Sequence, residues 1–414
     1  MKQLLFPDDT QFWFETLRLF SNASYGGSDF GEVLAAASRI TAGDYDSWHD
    51  AFRAQADRLR AEATGARPVT ERDLLLRAST YYFTAGFFLH ANPTDPRVTG
   101  TYDLSRACFH RAAALFEPAV ELVEIPYEGT VLYGYFYRAP GEGRRPTLVM
   151  HSGLDGGAEE LHFQGAATGP ERGYHVLTFD GPGQPSAIRL HNLVFRPDWE
   201  HVVAAVLDHL ETDPGVDQNR IALLGMSFGG YLAPRAAAFE PRLAAVAACD
   251  GIYDAAAAFT EALPWDRAEI QHRAKATHDE ELDHALAAMA ANSPTAKWTF
   301  AHGRYVLGAS TDREFLARLL DYTLEDGVAE RITCPVLICE AANDHFFKDN
   351  QLSEAQRLYQ HVTSPKTLIT FTAEEGSDEH CQVGAQRLLL GRIYDWLDAT
   401  MTTGRAPRPV MAAL

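Results

Sequence analysis

Read as a pattern of apolar and polar positions, the chain changes character near Pro118. Before it, apolar residues recur about every 3.6 positions, the spacing of helices that pack by one face. Phe12, Phe14, Leu17 and Phe20 form one such face, Phe30, Val33, Leu34 and Ile40 begin a second, and Trp48, Phe52, Ala56 and Leu59 make a third. The stretch Leu74–Leu89, with Tyr81, Tyr82, Phe83, Phe87 and Phe88, is so apolar that a helix there needs cover on more than one side, and Tyr102 to Phe116 supplies a further helix. This aromatic stripe reads as core packing, with part of it available to line a pocket.

From Val120 the period shortens to two. VELVEIPY and VLYGYFYRAP flank Glu128-Gly129 and predict a β-hairpin. Short continuous apolar runs follow, separated by helical stretches: TLVMHSG (147–153), HVLTFDGPG (175–183), RIALLGMSFGG (220–230), LAAVAACDG (243–251), PVLICEAAND (335–344) and KTLITFT (366–372). Strands of this kind are buried on both faces, so the expected fold is α/β, a mostly parallel sheet with helices on both faces. The interval between Gly251 and Cys334 is too long for a simple crossover and reads as a helical lid insertion over the carboxyl ends of the strands. The expected organisation is a helical N-terminal region (1–118), the first part of the α/β core (119–254), the lid (255–331), the second part of the core (332–399) and a loose tail (400–414).

Composition narrows the function. Across 414 residues, 36 Lys+Arg stand against 56 Asp+Glu, a formal charge of −20, which argues against nucleic acid or an anionic membrane as partner. Hydrophobic residues at 46% and charged residues at 22% are ordinary for a globular protein. Five cysteines, Cys108, Cys249, Cys334, Cys339 and Cys381, show no C-x-x-C pairing, and no stretch reaches a membrane span. A soluble, cytoplasmic protein is expected. The apolar N-terminal helices leave a face for a homodimer.

The chemistry centres on Gly225-Met226-Ser227-Phe228-Gly229-Gly230, a G-x-S-x-G motif. It lies where an apolar strand ends and a helix begins, the sharp turn that exposes a serine hydroxyl at the top of a sheet. Serine at its free pKa is a weak nucleophile, so a base and a group orienting that base are required, and in this setting they follow in the order acid, then histidine. Asp344 comes after the next-to-last predicted strand and His380 after the last, on loops at the same sheet edge as Ser227. The expected triad is Ser227, Asp344 and His380. An oxyanion hole needs two backbone amides, one from Phe228 and one from the loop His151 to Gly157, with Leu154 favoured and Gly153 the alternative.

Competing residues have plainer readings. His345 neighbours Asp344 and reads as a solvated or pocket-lining residue; Asp378 and Asp349 read as surface charges or loop caps; Asp250, just past a strand, is a rival for the acid role. His151 reads as structural, Cys381 as a buried bystander without a partner, and His278 and His284, six apart, as part of a solvated lid helix. No nucleotide, flavin or metal motif remains, so no cofactor and no metal are expected.

These motifs, with the HSGLDGG loop, the DGPGQ turn, ANDHFF and EEGSDEHCQ, resemble the α/β-hydrolase superfamily. Within it they are similar to the 2,6-dihydroxypseudooxynicotine hydrolase group, which also holds fungal polyketide hydrolases and acyltransferases. The resemblance implies an α/β-hydrolase fold whose N-terminal helices contribute to the cap, a serine hydrolase, and an additional cap carboxylate for which Glu261 is a candidate. Cleavage of a carbon–carbon bond beside a ketone in a small molecule is the favoured activity. Ester or amide hydrolysis or acyl transfer on a bulky apolar substrate is the alternative, and a catalytically silent ligand-binding protein is the alternative from another class.

Overall fold

Strand β1 (Glu121–Tyr127) and strand β2 (Thr130–Tyr137) form the hairpin, and its turn residues Glu128 and Gly129 have φ of 42° and 83°, the left-handed pair that matches the twist of tightly connected strands. The sheet continues through β3 (Arg145–His151), β4 (His175–Phe179), β5 (Val216–Met226), β6 (Ala245–Cys249), β7 (Val336–Ala341) and β8 (Lys366–Phe371). Every apolar run read from the sequence is thus a strand. The computed structural model describes residues 2–347 and 352–403.

The strand order is β1-β2-β4-β3-β5-β6-β7-β8, antiparallel from β1 through β4 and parallel from there to β8. β3 is paired with β4 on one side and β5 on the other, so the chain winds outward in opposite directions from this point. The loops that leave the carboxyl ends of β3 and β5 diverge there, which opens the crevice where doubly wound sheets bind ligands.

Period-two alternation sends the strand side chains into two cores. Leu148, Met150, Ala222 and Leu224 share one with the N-terminal helices Thr10–Asn22, Phe30–Ala37, Tyr45–Glu62, Pro68–Gly86 and Pro96–Ala113 and with the last helix, Gln386–Thr403. Val149, Leu223, Val246 and Ile338 face the other, shared with Glu200–Glu211, Gly229–Ala237 and the helices between β6 and β7. Those intervening helices are Ala257–Thr260, Arg267–Lys275, Glu280–Asn292, Pro294–Leu307 and Asp312–Leu319.

Two expectations need correction. Phe30 and Leu34 do not form a buried face: they are 58% and 49% exposed. Their eight-residue helix buries Val33, Ala36 and Ala37 instead, and Phe30 stacks on Phe20 with ring centroids 4.8 Å apart. The last helix runs through Thr403, past the expected start of a loose tail at 400, while residues 404–414 lie outside the described residues. Among the described residues no helix is long and apolar enough to cross a membrane.

Candidate active site

β5 ends at Met226 and helix Gly229–Ala237 begins three residues on, so the chain reverses direction at Ser227. The turn holds Ser227 at φ 59°, a left-handed conformation that non-glycine residues adopt only when their surroundings enforce it. Glycine is required beside it because a Cβ on Gly225 would lie 2.0 Å from the Gly229 carbonyl oxygen. A second close approach comes from the loop after β3. A Cβ on Gly153 would lie 2.6 Å from the Phe228 amide nitrogen and 2.7 Å from the Met226 carbonyl oxygen, so this loop rests backbone against backbone on the serine turn.

The imidazole side is assembled from loops. The Ser227 hydroxyl donates to His380 Nε2 at 2.7 Å, and His380 Nδ1–H donates to Asp344 Oδ2 at 2.6 Å. Asp344 follows β7 and is itself fixed because its Oδ1 accepts the Phe346 amide at 2.8 Å. His380 opens a short turn, His380–Gln382, after β8. The three residues expected to act together are therefore in one line, and in the neutral ring the nitrogen that faces serine is the acceptor.

Asp250 joins them. Its Oδ2 lies 3.0 Å from His380 Nδ1 and accepts the Cys381 amide, and its Oδ1 accepts Gln382 Nε2 at 2.9 Å. The two carboxylates weighed as alternatives thus share one imidazole nitrogen. Burial disfavours a charged imidazole, but the negative groups around it, Asp344 above all with Cys381 and Asp250 beside it, outweigh that and hold His380 well above its ordinary pKa. Burial pushes Asp250 up, whereas for Asp344 pairing with His380 overcomes burial and holds the carboxyl below its usual range.

The other residues singled out in the sequence fall as follows. His151 is fully buried and its Nδ1 lies 3.0 Å from the Ser152 carbonyl oxygen, a packing role. His345 lines the cavity, with its ring 4.4 Å from that of Phe14. Asp378 is not a surface charge: it is buried, and its side chain and carbonyl each accept from Asn343 at 2.8 Å, tying the loop of Asp344 to the loop of His380. Cys381 is buried but not partnerless, since its Sγ lies within 4.8 Å of Cys249 Sγ and of an Asp250 carboxylate oxygen. Glu261 lines the cavity yet is solvent-exposed and, among the described residues, makes no hydrogen bond to Ser227 or His380. His278 and His284 are exposed on the lid, and Asp349 lies outside the described residues.

Two residues missed in the sequence shape the loop after β3. Gln184, fully buried in the DGPGQ turn, donates to the carbonyls of Ser152 at 2.6 Å and Gly153 at 3.3 Å while its Oε1 accepts the Gly181 amide at 2.8 Å. Because a trans peptide sets C=O and N–H antiparallel, holding the Gly153 carbonyl aims the Leu154 N–H. Arg18, from helix Thr10–Asn22, donates to Asp155 Oδ1 at 2.9 Å and to Glu160 Oε1 at 2.6 Å. Gln184 stood in a motif that signalled a turn, but nothing in the sequence pointed from Arg18 to a loop more than a hundred residues away.

Above Ser227 and His380 lies a cavity of about 740 Å³. Its walls are mainly apolar, with Ile252, Phe259, Met289, Trp298, Phe315 and Phe346 among them, and Thr10 brings the N-terminal region to the same space. Such a site suits a largely apolar molecule whose reacting group meets a few placed polar atoms.

Residues 46–259 match the family described as Esterase FrsA-like. The chain belongs to this family. It is 35% identical to hydrolase LUC6 of Fusarium sp, over 96% of this chain and 97% of that one. Its identity to 20-hydroxy-prefusarin hydrolase FUS2 of Gibberella moniliformis is 33%, over 95% of this chain and 97% of the relative. The crystal structure of 2,6-dihydroxy-pseudo-oxynicotine hydrolase matches the fold with a TM-score of 0.67 at 21% identity, covering 95% of this chain and 98% of the other. The protein is a hydrolase of the α/β-hydrolase fold, as the family and these relatives establish.

Proposed function

We propose that this protein is a cofactor-independent serine hydrolase that cleaves an acyl bond in an apolar, ketone-bearing small molecule, with carbon–carbon cleavage of a β-diketone unit as its favoured reaction. The observation that carries the reading is the line Ser227 Oγ, His380 Nε2, His380 Nδ1, Asp344 Oδ2, with separations of 2.7 and 2.6 Å, opening into an apolar cavity. Ser227 attacks the carbonyl while His380 takes the hydroxyl proton, and Asp344 stabilises the imidazolium that forms. The Phe228 and Leu154 amides receive the oxyanion. Collapse of the tetrahedral adduct expels an enolate, which takes the proton from His380 at carbon and leaves as a ketone. Water, activated by His380, then releases the acyl group as a carboxylic acid. The name of one relative, 20-hydroxy-prefusarin hydrolase, supports hydrolysis of a small molecule.

A second reading is ester hydrolysis, or acyl transfer to an alcohol, and the family description as an esterase favours it. Turnover of a short p-nitrophenyl ester and of an aryl β-diketone by the wild type and by Ser227→Ala, with product masses, separates the two. Serine-dependent release of a ketone and an acid is expected. Ester turnover with an intact diketone would transfer the conclusion to the second reading, and equal rates in the two proteins would overturn the serine mechanism.

A further inference from the structure

Leu154 is held from its other side by a chain of buried side chains that the reaction itself does not use. His302, on helix Pro294–Leu307, places Nε2 2.8 Å from the Leu154 carbonyl oxygen and Nδ1 2.7 Å from Nδ1 of His90. His90, which follows helix Pro68–Gly86, places its Nε2 2.8 Å from Nη2 of Arg189, on helix Pro185–His191. Both histidines are buried, at 5% and 2% exposure.

The two ends of this chain dictate every proton in it. A carbonyl only accepts and a guanidinium only donates. Leu154 C=O therefore requires a proton on His302 Nε2, which leaves Nδ1 of a neutral His302 as acceptor. His90 must then donate from Nδ1, and its Nε2 accepts from Arg189. One tautomer of each ring satisfies all three contacts, and protonating either ring would set donor against donor. Burial favours the neutral rings, lowering His302 to about 4 and His90 well below its ordinary value, the latter with added repulsion from His302 and Arg189.

We infer that His302 and His90 are positioning residues for the oxyanion hole, a one-way hydrogen-bond relay from Arg189 through both rings to the Leu154 carbonyl that aligns the Leu154 amide when the lid helix is docked. Gln184 holds the carbonyl before Leu154 and His302 holds the carbonyl of Leu154 itself. With both flanking peptide planes fixed, the Leu154 N–H has one direction left. The relay draws one residue from each region of the chain: His90 from the N-terminal helices, His302 from the lid and Arg189 from the core. Stacking keeps the rings in register, since Trp298 of the cavity wall lies on His302 at 5.2 Å and 7° and Phe87 lies on Trp298 at 5.1 Å and 7°.

The inference rests on the serine-hydrolase reading, and a fluorophosphonate separates the two. Its rate of attachment to Ser227 reads the oxyanion hole without any knowledge of the substrate. His302→Phe keeps the stack on Trp298 and removes both hydrogen bonds, whereas His302→Gln offers an amide donor and an acceptor in their place. The expected result is attachment slowed on the order of 10–100-fold in His302→Phe, as for loss of one weakly aimed oxyanion donor, and restored to within about fivefold in His302→Gln. With the p-nitrophenyl ester, kcat per fluorophosphonate-titrated site should fall in His302→Phe while KM stays near wild type, the pattern of an interaction made only in the transition state, and titrating the active sites removes the loss that simple destabilisation would cause. His90→Phe, which removes both hydrogen bonds of the second ring, gives the same test should His302→Phe fold poorly. A folded His302→Phe or His90→Phe that reacts at the wild-type rate overturns the relay. Wild-type protein that forms no adduct overturns the serine reading instead.

Discussion

On the nucleophile side of the site the contacts are backbone against backbone, within a few residues of the ends of β3 and β5, whereas on the imidazole side loops after β6, β7 and β8 bring side chains together. Ser227 sits in a left-handed turn with the His380 ring 2.7 Å from its hydroxyl, and Gly153 fits only without a side chain. His380 has two carboxylates within 3.0 Å of the same nitrogen. A wall built from close backbone packing tolerates no change in shape, because displaced peptide groups carry the aimed amides with them. A wall built from converging side chains can lose one partner and keep part of its hold on the imidazole, since a second carboxyl group still faces the same nitrogen.

The comparison predicts a descending series of losses. Ser227→Ala should lower kcat on the order of 10⁶-fold with the thermal midpoint unchanged, because nothing else on that side can attack. Retained turnover would mean that another group is the nucleophile. Gly153→Ala comes next: its Cβ must displace the loop from Phe228, and a fall on the order of 10²–10³-fold in kcat is expected. A folded Gly153→Ala protein with wild-type kcat would break the claim that this wall is intolerant.

On the other wall the losses should be smaller and coupled. Asp344→Asn should cost about 10²-fold, less than the ~10⁴-fold seen where an imidazole has a single carboxylate partner, because Asp250 still faces Nδ1. The double variant Asp344→Asn/Asp250→Asn should return to about 10⁴-fold. Single and double variants of equal activity would remove the redundancy from the argument.

The smallest effect is in pH. His380 acts as a base only when neutral, and its negative neighbours stabilise the charged form, so the base form emerges only at higher pH. The acidic limb of kcat/KM should therefore lie above ~6.5, the ordinary value for histidine. In Asp344→Asn, with the negative charge that raises His380 most removed, the limb should move to lower pH. An unmoved limb would show that His380 is not the titrating base.

Much of this site was legible before the fold was known, though unevenly. Ser227 announced itself through a local motif at a strand end, and Asp344 and His380 through their places after the last two strands. Six strands were legible as continuous apolar runs, the pattern of strands covered on both faces, and the first two from period-two alternation around Glu128-Gly129. Phe30 and Leu34 misled because an apolar spacing marks a helix face without saying whether a neighbour covers it; here the covered face is Val33, Ala36 and Ala37. Asp378 and Cys381 read as a surface charge or loop cap and as a bystander because their partners, Asn343 on one hand and Cys249 with Asp250 on the other, lie far away in sequence. Glu261, expected as a cap acid, lines the cavity without reaching the reacting residues.

By itself the amino-acid order determined the α/β architecture, the break near Pro118, the helices before β7 and the place of Ser227 at a strand-to-helix turn, because each depends on periodicity, turn chemistry or spacing along the chain. Tertiary structure alone decided that Asp344 and Asp250 meet at one nitrogen, that Arg18 and Gln184 hold the loop beside the nucleophile, and that His90 and His302 align tautomer to tautomer above it. Those are contacts between residues whose sequence separation carries no information about distance. They exist because the sheet brings the carboxyl ends of its strands to one edge and the helices pack down over that edge.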